Sequence, residues 1–114
     1  MLIKNETKKT VLSEKLLVAH TLKDNFFGLT LSREPQTMLF HTRFGIHTFG
    51  MHYPIDILVL NNNNEVVTLK HQLKPNRIFL WNPRFAIIIE LPEGTISKTK
   101  TEIGDTLNLQ EYER

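Results

Sequence analysis

Two histidines, a threonine, a methionine and an aspartate crowd the segment His47-Thr-Phe-Gly-Met-His-Tyr-Pro-Ile-Asp56. A carboxylate near imidazoles can grip a ligand, hold a metal ion or move a proton. His47, Thr48, Met51, His52 and Asp56 are therefore the candidate ligand-binding residues. His52 and Asp56 share one face of an extended chain. Pro54 between them forbids the helical arrangement in which two zinc-binding histidines sit one turn apart. A metal would need a third ligand brought in by the fold, from His41, His47 or His71. The chain has no cysteine, and nothing in the spacing demands a metal. No structural metal and no other cofactor is expected. Nucleophilic catalysis lacks a cysteine and a Gly-x-Ser-x-Gly elbow, and Ser13, Ser32 and Ser97 lie in ordinary polar surroundings. No catalytic residue is nominated. The leading reading is a non-catalytic module that binds a small molecule, peptide or glycan near residues 47–56 or acts as an interaction scaffold. A His/Asp-based enzyme or metal-binding protein is the alternative.

A second stretch carries charge. No acid occurs between Val66 and Ile89, whereas Lys70, Lys74, Arg77 and Arg84 fall there, with His71. Lys70, Lys74 and Arg77 are candidate anion-binding residues, although an ordinary solvated loop is the plainer account. Arg77-Ile-Phe79-Leu-Trp81-Asn-Pro-Arg84-Phe85 interleaves basic and aromatic residues, as single-stranded nucleic-acid binders do. Those aromatics are expected mostly in the core. Nucleic-acid contact through residues 70–85 is the weaker alternative.

These groups are positioned by strands. Tyr53–Leu60 places Tyr53, Ile55, Ile57 and Val59 on one face and Pro54, Asp56, Leu58 and Leu60 on the other. Both faces are mostly apolar, which predicts a strand buried on both sides. Asp56 is the exception, and a buried carboxylate must find donors or a cation. The expectation is a structural Asp56 that holds the His47–Tyr53 loop, through backbone N–H groups or a hydroxyl such as that of Thr48.

In chain order, residues 1–14 read as a flexible arm and Lys15–His20 as a strand. Leu22, Phe26 and Leu29 recur on one face of a short helix. Leu31–Thr37 reads as a loop, Met38–Phe40 as a strand and His41–Ile46 as an irregular turn. Asn61–Asn64 is the strongest turn signal, since asparagine tolerates positive φ and bonds its own backbone. It joins residues 55–60 and 65–71 into a hairpin. Gln72–Arg84 is a long connection that lies across the core at Ile78–Trp81. Phe85–Leu91 is nearly all apolar and predicts a central strand. Thr95–Lys100 reads as a short helix or a loop, and Thr106–Leu109 as a last strand. At 114 residues, 40% hydrophobic and 23% charged, the chain fits one globular domain over residues 15–110. No apolar run approaches the roughly 18 residues of a membrane span, and no secretory signal is expected, so the default compartment is the cytoplasm. The fold class expected is mostly β: a small single-domain β-sandwich or barrel-like fold with one short helix.

One set of residues forms a recognisable pattern: Val18-Ala19-His20-Thr21, Phe27-Gly28-Leu29, Met38-Leu39-Phe40 and the run from His47 to Asp56. Lys74-Pro75, Glu90-Leu91-Pro92-Glu93-Gly94-Thr95 and Ile103-Gly104-Asp105 complete the set. This pattern resembles a known family, the domain of unknown function numbered 192. The resemblance covers residues 15 to 110, and the His47–Asp56 run is its most specific part. Three positions depart from the branch it is most similar to: His52 replaces an expected arginine, Asn76 an expected tryptophan, and Arg43 lies near an expected cysteine. The resemblance implies a compact β fold with a short helix and carries no established activity.

Overall fold

The computed structural model describes residues 2–14, 17–18, 37–43 and 45–110. Ten strands are found among them: β1 (Leu2–Asn5), β2 (Thr10–Ser13), β3 (Leu17–Val18), β4 (Met38–His41), β5 (Gly45–His47), β6 (Ile55–Leu60), β7 (Val66–Leu73), β8 (Ile78–Leu80), β9 (Ile87–Pro92) and β10 (Leu107–Gln110). One helix, α1 (Thr95–Thr99), follows β9. A five-stranded sheet in the order β3-β4-β9-β6-β7 is flanked by a three-stranded sheet, β10-β1-β2, and a two-stranded ribbon, β5-β8. Every pair is antiparallel except β3 with β4. The fold is mostly β, a sandwich with one short described helix.

The large sheet is covered on both faces. Ile55, Ile57, Val59 and Ile88 pack with Met38, Phe40, Met51 and Trp81, and Ile46 and Phe79 of the ribbon close over them. Leu58, Leu60, Ile89 and Leu91 face the other way, against Ile3, Leu12, Leu107 and Ile96 of α1. Alternation along β6 and β9 thus feeds two apolar layers. This is why the whole of β6 is buried.

The β6–β7 hairpin forms as the sequence predicts, and β9 is the middle strand of the sheet. Asn61 builds the turn: its Oδ1 accepts the N–H groups of Asn63 (2.9 Å) and Glu65 (3.0 Å). Asn64 takes a φ of 61°, which asparagine bears at low cost. Thr95–Thr99 resolves as helix. The helix expected around Leu22–Leu29 lies outside the described residues.

Two expectations are corrected. The stretch expected as a flexible arm, residues 1–14, is structured over its described residues 2–14, because β1 pairs with both β2 and β10 and Ile3 is fully buried. The polar run that suggested an arm contains Asn5, which is buried but hydrogen-bonded to Thr101 (3.1 Å) and Asp105 (2.9 Å). Ile78–Leu80 is not merely a connection crossing the core. It is β8, paired with β5, so part of the expected His41–Ile46 turn is strand as well. Gly45 permits that pairing: a Cβ there would lie 2.7 Å from the Phe79 carbonyl oxygen.

Asp105 anchors the N-terminal hairpin to the last turn. The Lys8 ammonium reaches its two oxygens at 2.9 and 2.8 Å, and the Glu102 N–H donates at 3.0 Å. Burial pushes the Asp105 pKa up, but the bonds from Asn5, Lys8 and Glu102 outweigh it and hold the carboxyl below its ordinary value. An acid with a lowered folded-state pKa gives stability that is present above its unfolded value and lost as pH falls through the folded one. Asp105→Asn is therefore expected to lower the melting temperature at pH 7 and to shrink the loss of stability on acidification below about pH 4. Thermal melts of both proteins between pH 2.5 and 7 check this.

Candidate functional site

The five residues nominated between His47 and Asp56 do not form one constellation. Asp56 sits on β6 with its side chain on the Leu58 and Leu60 face, fully buried. Met51, by contrast, belongs to the layer on the opposite face. His47 is the last residue of β5, in the ribbon on that same opposite side. His52 is exposed in the loop before β6. The sheet therefore stands between Asp56 and the histidine segment.

Asp56 does hold backbone, but not the backbone expected. One residue on β6, Asp56, faces two on β7, His71 and Gln72, because Ile55 pairs with Leu73 and Ile57 with Lys70. This is a β-bulge, and Gln72 takes a φ of 52° there. Asp56 Oδ1 accepts the stranded Gln72 N–H at 3.0 Å. Its Oδ2 accepts the Ile96 N–H in the first turn of α1 at 2.9 Å. The N-cap of that helix, Gly94, offers no side-chain cap, so Asp56 fills that role from the sheet. The expected tie to the His47–Tyr53 loop is replaced by ties to the bulge and the helix.

Thr48 is what holds that loop. It is fully buried. Its hydroxyl donates to the Lys74 carbonyl at 2.7 Å and accepts the Arg77 N–H at 3.0 Å. Its N–H donates to Arg77 O, and its carbonyl accepts from Met51 and Asn76. Gly50 completes the turn at φ 82°, a conformation that suits glycine. Thr48→Val keeps the shape but strands two partly buried backbone groups, the Lys74 carbonyl and the Arg77 N–H. The expected cost is about 1–3 kcal/mol, read as a lower urea midpoint with unchanged slope. The outer wall of the loop is aromatic: the His47 and Phe49 rings stack with centroids 4.8 Å apart, and Phe49 is 48% exposed.

The anion candidates Lys70, Lys74 and Arg77 are all exposed. No group of three His, Asp or Glu side chains suited to a metal occurs among the described residues.

One group was passed over in the sequence. Glu90 lies in the central strand β9, opposite Met38 on β4 and Ile57 on β6. Residues directly opposite share a face, so its side chain enters the layer of Met38, Ile57, Ile88 and Met51. It is 6% exposed. Its carboxyl makes no hydrogen bond or ion pair with any described residue, unlike Asp56 and Asp105. Burial pushes its pKa up to about 8. At neutral pH it is mostly a neutral acid, able both to donate and to accept. The available signal was the one that singled out Asp56: a lone carboxylate in a strand whose neighbours, Ile87-Ile-Ile-Glu90-Leu91, are all apolar.

No described helix is long and apolar enough to cross a membrane. A protein of unknown function from Novosphingobium aromaticivorans has a similar fold, with a TM-score of 0.79 at 15% identity over 96% of this chain and 84% of that one. At that identity the likeness shows the fold alone. A UPF0127 protein of Thermococcus sibiricus is 34% identical over 111 residues, 91% of this chain and 71% of that one. A UPF0127 protein of Pyrococcus horikoshii is 31% identical over 112 residues, 93% of this chain and 96% of that one. The family model DUF192, described as "Uncharacterized ACR, COG1430", matches residues 3–109. That match spans β1 through β10 and includes both Asp56 and Glu90, and the chain is a member of the DUF192 family.

Proposed function

We propose that this protein is a small non-catalytic binding module whose ligand reaches the Glu90 carboxyl on the face of the large sheet that carries Met51, beneath the 47–56 segment. The observation that carries this reading is a nine-tenths-buried carboxyl with no polar partner among the described residues. Leaving such a group unpaired costs free energy, and a fold gains nothing from it unless something else uses it. Met38 lies directly opposite it and Met51 belongs to the apolar layer on the same face, and methionine adapts its shape to irregular apolar partners. The ligand chemistry that fits is an apolar body with one group that exchanges hydrogen bonds with a neutral acid, such as an amide, an alcohol or an amine. An acid–base pair of Asp56 with a histidine has less support, because Asp56 spends both oxygens on backbone N–H groups on the other side of the sheet.

Ligand-observed NMR with a panel of small apolar amides, amines and alcohols tests the reading. Binders are expected that perturb the Met38 and Met51 methyl signals and are lost in Glu90→Ala. A panel with no binder dependent on Glu90 would overturn it.

A further inference from the structure

We infer that the outer side of β8 is a docking edge for an extended acidic segment of another protein, added as a strand and anchored by one apolar side chain. This surface is separate from the Glu90 face and does not rest on its reading. In the ribbon, β8 pairs with β5 on one side, and among the described residues no strand pairs with its other side. An open edge of this kind is a template for strand addition. Ile78 and Leu80 share its outward face and are 62% and 69% exposed. Phe79 turns the opposite way, into the core layer. Beside Leu80 opens a shallow groove of about 170 Å³, with Val67, Phe79, Trp81 and Phe85 in its walls. It has room for a single apolar side chain.

Charge identifies the occupant. Arg77 immediately precedes β8 and Arg84 follows it closely. Lys74 lies in the turn before it, and Lys70 is on the β7 face that borders the groove. All four are exposed, and none takes part in an ion pair among the described residues. The absence of any acid from Val66 to Ile89 leaves the field around β8 positive. A second copy of this chain would set these cations against their own kind, whereas an acidic strand complements them. A nucleic acid would match the charge but not the surface. The side chains that β8 itself offers outward are aliphatic, Trp81 is 9% exposed with its indole N–H spent on the Phe85 carbonyl at 2.9 Å, and Phe49, the exposed ring on the neighbouring loop, is stacked against His47. Base stacking needs exposed aromatic faces.

The test uses the full chain and a fluorescein-labelled seven-residue peptide that alternates glutamate with valine and carries one central phenylalanine. A matched peptide with lysine for glutamate and a ten-nucleotide oligo-dT serve as competitors for the same assay. Anisotropy titrations at low salt are expected to show the acidic peptide binding more tightly than both. Affinity should fall about tenfold between 50 and 300 mM salt, and by a similar factor in Ile78→Lys, which keeps the positive charge but removes the apolar contact. Arg77→Glu should weaken binding at low salt and flatten the salt dependence. Both sites are exposed, and each variant is first shown to melt with the wild-type protein. Equal or tighter binding of the oligonucleotide or the lysine peptide, no binding of the acidic peptide, or indifference to both substitutions overturns the proposal.

Discussion

Glu90→Gln is expected to make the protein more stable, and increasingly so as pH rises from 4.5 to 8. The sign follows from the raised pKa. Between the ordinary value of 4.5 and the folded value of about 8, the unfolded chain has released the Glu90 proton while the folded chain keeps it. The folded state then binds more protons, so stability falls with rising pH across that window. The accumulated loss by pH 8 is on the order of 4 kcal/mol. Glutamine has nearly the same shape and does not titrate, so this slope disappears. Melting temperatures of the two proteins should nearly coincide at pH 4.5 and separate by roughly 16 °C at pH 8. A variant that is less stable than the parent at every pH would mean that the parent's carboxylate is satisfied. Residues held for binding are commonly those a fold would be steadier without.

Asp56→Ala is expected to do the opposite. It removes the acceptor for two N–H groups in separate elements: the bulged Gln72 and the first turn of α1. Each stranded donor costs about 1–3 kcal/mol, and the bulge and the helix lose their common anchor. A total of about 3 kcal/mol corresponds to a fall of roughly 12 °C or more. Asp56→Asn keeps one acceptor and turns the other end into a donor facing an N–H, so it recovers only part of the loss. Amide exchange should quicken at Gln72 and Ile96 before the rest of the sheet. An alanine variant that melts with the parent would return Asp56 to the list of ligand-binding candidates.

The contrast between these two acids marks what the sequence makes legible. Both sit in strands whose neighbours are apolar, and Asp56 stood out because it follows a proline at the end of an unusual motif. Glu90 has the same signature within Ile87–Leu91, but an unbroken apolar run reads as a single buried strand and hides its one polar member. The β6–β7 hairpin was legible because Asn61 writes its own turn through local hydrogen bonds. The partners of Asp56 were not, since Gln72 and Ile96 become its donors only through a bulge and a helix start that no local pattern encodes. Strand β8 was hidden for a similar reason. Ile78–Leu80 is three residues long and is fixed by pairing with Gly45–His47, far away in sequence. The N-terminal hairpin escaped notice because it buries Asn5, whose partners Thr101 and Asp105 lie at the other end of the chain. The sheet divides the members of the His47–Asp56 run: Thr48 braces the loop, Asp56 braces the far face, and Met51 lies in the apolar layer on the face that Glu90 enters.

The account depends most on the state of Glu90, and a carbon-13 NMR titration of glutamate-labelled protein reads that directly. The Glu90 side-chain carboxyl, assigned by its absence in Glu90→Gln, is predicted to titrate with a midpoint near 8. A midpoint near 4.5, with the other glutamates, would contradict it and with it the case for a binding face at the centre of the sheet.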